Sequence, residues 1–327
     1  MKKPLIFIAL CSLLASCATL PKSYQTQDEV IAVGPGPEDA VVDTISEQPR
    51  LLLSCNARRK NDAHYGEIMA YYPKDGNKKL LTRTNEPKDL LFNPHGIDLV
   101  KVKDSLILLV VNHEHEKHIN SILRYKVEKD KMVFLSKITD PLITSPNAVT
   151  GLTDGTILIS NDSKKPGQVL DMLFKVKKAE IVYWNGSSCS VASKKYCYSN
   201  GITNSNGKVY LASTLQNKVW SFDFKDGKMI NREVVAKVNG GDNIRFDGND
   251  LIVPCHLRSI AFLKHMSDST KLSPTTVYRI NPTAKTHEVI FYDSGKQLSA
   301  GSTSVVYGGY LYTVGVFDAK MDKKKLK

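Results

Sequence analysis

Short apolar runs alternate with turn-forming residues along almost the whole chain. Ser105-Leu-Ile-Leu-Leu-Val-Val111 is nearly continuous in apolar character, as expected of a strand covered on both faces. Glu67-Ile-Met-Ala-Tyr-Tyr72, then Pro73-Lys-Asp-Gly76, then Lys79-Leu-Leu81 read as strand, turn, strand. The same grammar recurs at Ser121–Val127, Gly155–Ile159, Lys208–Leu211, Lys218–Phe222, Asp250–Val253 and Tyr310–Val314. Helical periodicity is scarce: Gln168–Phe174 and Ser259–His265 are each consistent with one short helix over a common mouth. The pattern predicts an all-β chain.

A second periodicity lies over the first. Small polar or acidic residues beside Gly or Pro recur at positions 38, 95, 147, 200, 242 and 302. The segments are Gly34-Pro-Gly-Pro-Glu38-Asp39, Asn93-Pro-His95-Gly-Ile97-Asp98, Ser145-Pro-Asn147, Ser199-Asn200-Gly-Ile202, Gly240-Gly-Asp242-Asn243-Ile244 and Ala300-Gly-Ser302-Thr303. Spacings of roughly 40–60 residues are those of propeller blades. Six such repeats predict a six-bladed β-propeller occupying residues 33–327 as one domain. The short last repeat is expected to close the ring with a strand from the N-terminal end.

Composition adds an address. The chain has 327 residues, 42% of them hydrophobic, which allows a sizeable core. Met1-Lys-Lys3 is a basic segment, and Pro4–Leu14 is apolar but too short to span a bilayer as a helix. Leu14-Ala-Ser-Cys17 resembles a lipobox, so residues 1–17 read as a lipoprotein signal ending at a lipidated Cys17, and 18–32 as a polar tether. Ala18 after the cysteine resembles the outer-membrane sorting pattern, which places the protein in a bacterial cell envelope. An ordinary secretory signal cut nearby is the alternative. Among the other cysteines, Cys189 and Cys197 lie in what reads as a Ser/Lys-rich loop and are candidates to pair, whereas Cys55 and Cys255 lie in apolar runs and read as buried thiols. The formal charge of +12 comes from scattered lysines and a basic tail; an exported chain without a nucleic-acid motif is not expected to bind nucleic acid.

The recurring segments carry chemistry. Calcium takes six to eight oxygen ligands from carboxylates, amides, backbone carbonyls and water. Glu38, Asn147, Asn200, Asp242 and Asn243 supply five such side chains, and their two carboxylates balance a divalent charge. His113-Glu-His115-Glu-Lys-His118 lacks the spacing of a zinc protease helix.

The ordered motifs Gly-Pro-Glu38-Asp39, Phe92-Asn-Pro-His95-Gly-Ile97, Val110-Val-Asn-His113, Pro146-Asn147, Asn161-Asp162, Asn200-Gly-Ile, Asp242-Asn243-Ile, Cys255-His256 and Gly301-Ser-Thr resemble those of the serum paraoxonase/arylesterase family, within the wider gluconolactonase-type calcium propellers. The resemblance implies an axial Ca²⁺ held by Glu38, Asn147, Asn200, Asp242 and Asn243. It implies His95 as general base, His113 as its supporting histidine and His256 at the mouth of the site. The implied substrates are small lactones or aryl esters. A general base with an ordinary pKa of about 6.5 suits attack by water near neutral pH.

The resemblance also implies a second, structural calcium, to which Asp39 and the Ile97 carbonyl would contribute. The family has an Asp directly after the position of Asn147, but here that residue is Ala148. Two other readings remain open: a non-catalytic propeller that binds partners on one face, and a hydrolase of sugar lactones. Met172, Leu173, Phe174, Ile260, Phe262 and Leu263 lie near the expected mouth, where they would favour an apolar substrate unless they belong to the core.

Overall fold

The second strand of each sheet is buried on both faces, and this sets the architecture. In a computed structural model that describes residues 29–60, 62–164 and 174–326, the strands form six sheets around an axis. Blade 1 contains Pro37–Asp43, Arg50–Asn56, Gly66–Tyr71 and Lys78–Leu80. Blade 2 contains Pro94–Val102, Ser105–Glu114, Ile119–Val127 and Lys131–Ile138, with Thr82–Thr84 added in parallel at its outer edge. Blade 3 contains Pro146–Gly151, Ile157–Asn161, Ala179–Trp184 and Cys189–Tyr196. Blade 4 contains Ser199–Ser205, Lys208–Ser213, Lys218–Lys225 and Lys228–Ala236. Blade 5 contains Arg245–Asp247, Asp250–His256, Thr275–Asn281 and Thr286–Asp293. Blade 6 contains Gly301–Tyr307, Tyr310–Gly315 and Lys320–Lys325, and its fourth strand is Glu29–Ala32 from the start of the described chain. The expected ring closure is therefore present, and the last residues of the stretch read as a tether belong to the ring.

An apolar cluster fills each of the six gaps between neighbouring blades. Blade 2 shows why its second strand reads as a continuous apolar run. Leu106, Leu108 and Val110 pack toward blade 1, while Ile107, Leu109 and Val111 pack toward blade 3. Each such side chain contributes about 1.5–3 kcal/mol relative to exposure. Cys55 and Cys255 are fully buried thiols, as expected.

One expectation changes. Cys189 and Cys197 do not pair, because they lie at the two ends of one extended strand, Cys189–Tyr196 and the residue after it. At about 3.3 Å per residue that separation far exceeds the reach of a disulfide. Of the two helical candidates, Ser259–Ser267 is a helix, α1. The other, Gln168–Phe174, lies outside the described residues except for Phe174, as do the leader, Cys17 and the tether up to residue 28.

Candidate functional site

The six recurring segments mark the point where the chain reaches the axis and enters the first strand of each blade. At four of them the residue two positions before the anchor has positive φ: Gly36, Tyr198, Gly240 and Ala300. At the other two a proline, Pro94 or Pro146, directly precedes the anchor and limits the backbone instead. The register then slips at the anchor in blades 1, 2, 3, 4 and 6. In blade 5 an isolated Gly241–Cys255 bridge precedes the slip. Such a bulge adds a residue that leaves the ladder and turns its side chain. Here it turns each anchor toward the axis.

Close approach of the blades completes the arrangement. A Cβ on Gly96 would lie 2.3 Å from the Asn147 carbonyl oxygen, and one on Gly201 would lie 2.5 Å from the Asp242 carbonyl oxygen. Only glycine fits after His95 and after Asn200.

The five oxygen-bearing residues lie at the first strands of blades 1, 3, 4 and 5, all at most 4% exposed. Two of them are tied directly: Asn243 Nδ2 donates to Glu38 Oε1 at 3.0 Å and also to Thr303 Oγ1 at 2.8 Å. Those bonds turn Asn243 Oδ1 away from its partners. Glu38 Oε2, Asn147 Oδ1, Asn200 Oδ1 and Asn243 Oδ1 are all buried without a hydrogen-bond partner. Stranding one such atom costs about 1–3 kcal/mol, and a cation bound among these four would satisfy them. The set is hard and oxygen-only, with three amides and two carboxylates, and it fits calcium rather than zinc. Burial raises the Glu38 carboxyl, but the facing His95, by charge and hydrogen bond, together with Arg58 and Asn243 outweighs it and holds the group at about 2. Glu38 is ionised at neutral pH.

Asp242 is held from behind. His256 Nε2 lies 2.6 Å from Asp242 Oδ2, and the His256 ring packs on Phe262 of α1 with centroids 4.4 Å apart. His256 is 9% exposed. In this structure it orients a carboxylate and does not present itself at an open mouth. On α1, Ile260 and Leu263 are exposed, as is Phe174, while Phe262 is half-buried.

The histidines form a directed chain. Asn120 Nδ2 donates to the Thr144 carbonyl at 2.7 Å, which turns Asn120 Oδ1 to His113 Nδ1 at 2.8 Å. That Nδ1 must carry the proton, so His113 Nε2 accepts. His95 Nδ1 then donates to it across 3.0 Å. When His95 is neutral, its proton-free nitrogen is Nε2, which lies on the axial side, 3.5 Å from Glu38 Oε1. Burial and the nearby His95 hold His113 down at about 3, so it is a neutral imidazole. His115 stacks on His113 with centroids 5.6 Å apart.

Beside this chain a cavity of about 870 Å³ is lined by His113, His115, Asp140, Ser145, Asp162 and Tyr198 among others. Arg58, Asn120 and Arg245 were not singled out in the sequence. Arg58 Nη2 donates to the Pro94 carbonyl at 3.0 Å. Arg245 Nη2 sits between Asp39 and the Ile97 carbonyl.

Comparison with known proteins agrees with this architecture. A sequence profile of the arylesterase family, described simply as "Arylesterase", matches residues 68–321. The chain is 25% identical over 240 residues to serum paraoxonase/lactonase 3 of Homo sapiens, covering 69% of this chain and 67% of that protein. It is 25% identical over 236 residues to serum paraoxonase/arylesterase 2 of Gallus gallus, again covering 69% of this chain and 67% of that one. Among solved structures, a gluconolactonase from Xanthomonas campestris superposes with a TM-score of 0.55 at 13% identity, covering 93% of this chain and 99% of that one. A luciferin-regenerating enzyme superposes with a TM-score of 0.59 at 10% identity, covering 91% and 96%; both likenesses concern the fold. The profile match over most of the propeller shows that the chain belongs to the arylesterase family.

Proposed function

We propose that the protein is a calcium-dependent hydrolase of lactones and aryl esters. One observation carries the calcium reading: four buried oxygens of the axial ligand set have no partner within the protein. Glu38, Asn147, Asn200, Asp242 and Asn243 would hold the ion. Bound there, calcium would act as a Lewis acid toward a substrate carbonyl oxygen and stabilise the charge that develops on it.

The protein's own groups account for the proton. His95 accepts a proton from water at Nε2 as the water oxygen bonds to the acyl carbon. Collapse of the tetrahedral adduct breaks the bond to the leaving oxygen, which takes that proton from His95. His113 holds the His95 tautomer through Nε2, and Asn120 holds that of His113. His256 fixes the Asp242 carboxylate. The cavity next to His113 offers Asp140, Ser145 and Asp162 among its lining residues, which supports a second substrate class, hydroxylated lactones of the sugar type.

The test is hydrolysis of aryl acetates, aliphatic lactones and a sugar lactone by the chain truncated after residue 17, with calcium and after chelation. Turnover should vanish with chelator and return with calcium, and His95→Gln should lower kcat by about 10²–10⁴-fold. Activity indifferent to both would refute the mechanism. We also propose that Cys17 is lipidated in the bacterial envelope, as Leu14-Ala-Ser-Cys17 suggests. Cys17→Ser should then move the protein from the membrane fraction to the soluble one, and an unchanged distribution would exclude the anchor.

A further inference from the structure

Glu38 and Asp39 are neighbours at the bulge that opens the first strand of blade 1, yet their partners differ. Glu38 joins the cluster of unpartnered oxygens. Asp39 is 0% exposed, and its surroundings are of the opposite kind. Arg245 Nη2 donates to both Asp39 oxygens, each at 2.7 Å, and to the Ile97 carbonyl at 2.8 Å. Arg245 Nε donates to the Ala40 carbonyl at 2.8 Å. The Ile97 and Ala40 amides each add a bond to Asp39 at 2.8 Å, and the Thr303 hydroxyl adds one at 2.9 Å.

We propose that Arg245 is the resident cation of this second acidic position, so that the axial channel takes one metal ion and not two. The count of one rests on the calcium reading above, whereas the exclusion of metal at Asp39 does not. A calcium ion needs oxygens with open lone pairs at 2.3–2.6 Å. Both oxygens of Asp39 and the Ile97 carbonyl already accept from one guanidinium nitrogen, Arg245 Nη2. No side-chain oxygen is available from the residue after Asn147, because Ala148 presents a methyl group and is 2% exposed. The charge also closes, one carboxylate against one guanidinium, and a divalent ion would leave an excess of positive charge in a buried place.

The arrangement ties blade 1 (Asp39, Ala40), blade 2 (Ile97) and blade 5 (Arg245) with a cation that is covalently part of the chain. Chelation cannot remove it. The ring is therefore expected to survive loss of calcium even where activity does not.

Calorimetric titration of calcium chloride into the chelator-stripped protein provides the test, together with its melting temperature with and without chelator. One equivalent per chain is expected, and two would overturn the proposal. No binding at all would refute the calcium reading of the Glu38 cluster while agreeing with exclusion at Asp39. The double variant Arg245→Ser/Ala148→Asp should bind a second equivalent and regain with calcium the thermal stability it loses without it. If it folds and still binds only one, the proposal fails. Should it not fold, Arg245→Lys keeps the charge while losing the Nε bond to the Ala40 carbonyl. That variant should still bind one equivalent, and a second equivalent would count against the assignment.

Discussion

Asn120 controls the proposed chemistry without approaching the axis. Its amide is oriented by the Thr144 carbonyl, and that orientation propagates through His113 to the free nitrogen of His95. Asn120→Leu should lower kcat for an aryl ester roughly 10-fold or more, within the range of a lost acid–base contribution, and leave calcium affinity unchanged. Asn120→Asp, which still accepts from His113 Nδ1, should recover much of the loss. Equal rates for the two variants would remove Asn120 from the mechanism. The axial residues were legible in the sequence because each sits beside Gly or Pro in a recurring turn. Asn120 and Arg245 were not, since their roles depend on partners in other strands and blades. His256 was visible as a motif, but its role changed: pairing with Asp242 and packing under Phe262 make it a support for a carboxylate.

At the scale of single elements, the bulged first strands do the positioning, and they need closely spaced backbones. Gly201→Ala would set a methyl 2.5 Å from both the Asp242 carbonyl oxygen and the Asn243 Cα. Blades 4 and 5 must then separate, which displaces Asn200, Asp242 and Asn243 together. The expected result is a loss of about 1–3 kcal/mol of stability, as for overpacking, with weaker calcium binding by titration. Unchanged binding would mean that the first strands are not what sets the cluster.

Helix α1 invites a different test. Its His265 is 0% exposed, with Nδ1 donating to the Lys271 carbonyl at 2.7 Å and Nε2 lying 3.4 Å from Asp318 Oδ1. Arg59 Nη2 reaches the same Asp318 oxygen at 2.8 Å. Burial alone would raise the Asp318 carboxyl, but hydrogen bonds and charge from His265 and Arg59 hold it at about 2, below its ordinary 3.8. A depressed carboxyl stabilises the fold above its unfolded value and loses that contribution as pH falls through the folded one. Asp318→Asn should therefore cost about 1–2 kcal/mol at neutral pH. Its deficit in melting temperature should shrink between about pH 4 and pH 2, and a constant deficit would show that the pair adds nothing. The strand Cys189–Tyr196 escaped sequence reading for a physical reason: as the outermost strand of blade 3 it is half-exposed and lacks a clean alternation.

The molecule as a whole depends on how the ring is closed. Glu29–Ala32 pairs antiparallel with Lys320–Lys325, so the two ends of the described chain share blade 6. Ile31 packs into the cluster between blades 6 and 1, and Lys323 Nζ meets Glu29 Oε2 at 2.9 Å. The Val33 amide continues the closure by donating to the Ala319 carbonyl at 3.1 Å. Among the described residues no disulfide joins the first and last blades, and strand pairing with apolar packing holds them together. A protein truncated to begin at Val33 would lose that strand and expose the Lys320–Lys325 edge and the Ile31 site. Its melting temperature should fall by several degrees, as expected for the loss of one or two kcal/mol. Amide exchange should rise first in Lys320–Lys325 and then in Tyr310–Gly315, while blades 2 to 4 keep their protection. Because Glu38 lies in the first strand of blade 1, next to this seam, calcium affinity should weaken with the seam. If exchange instead rose evenly through all six blades, the N-terminal strand would be part of a single cooperative unit, not a clasp on one joint.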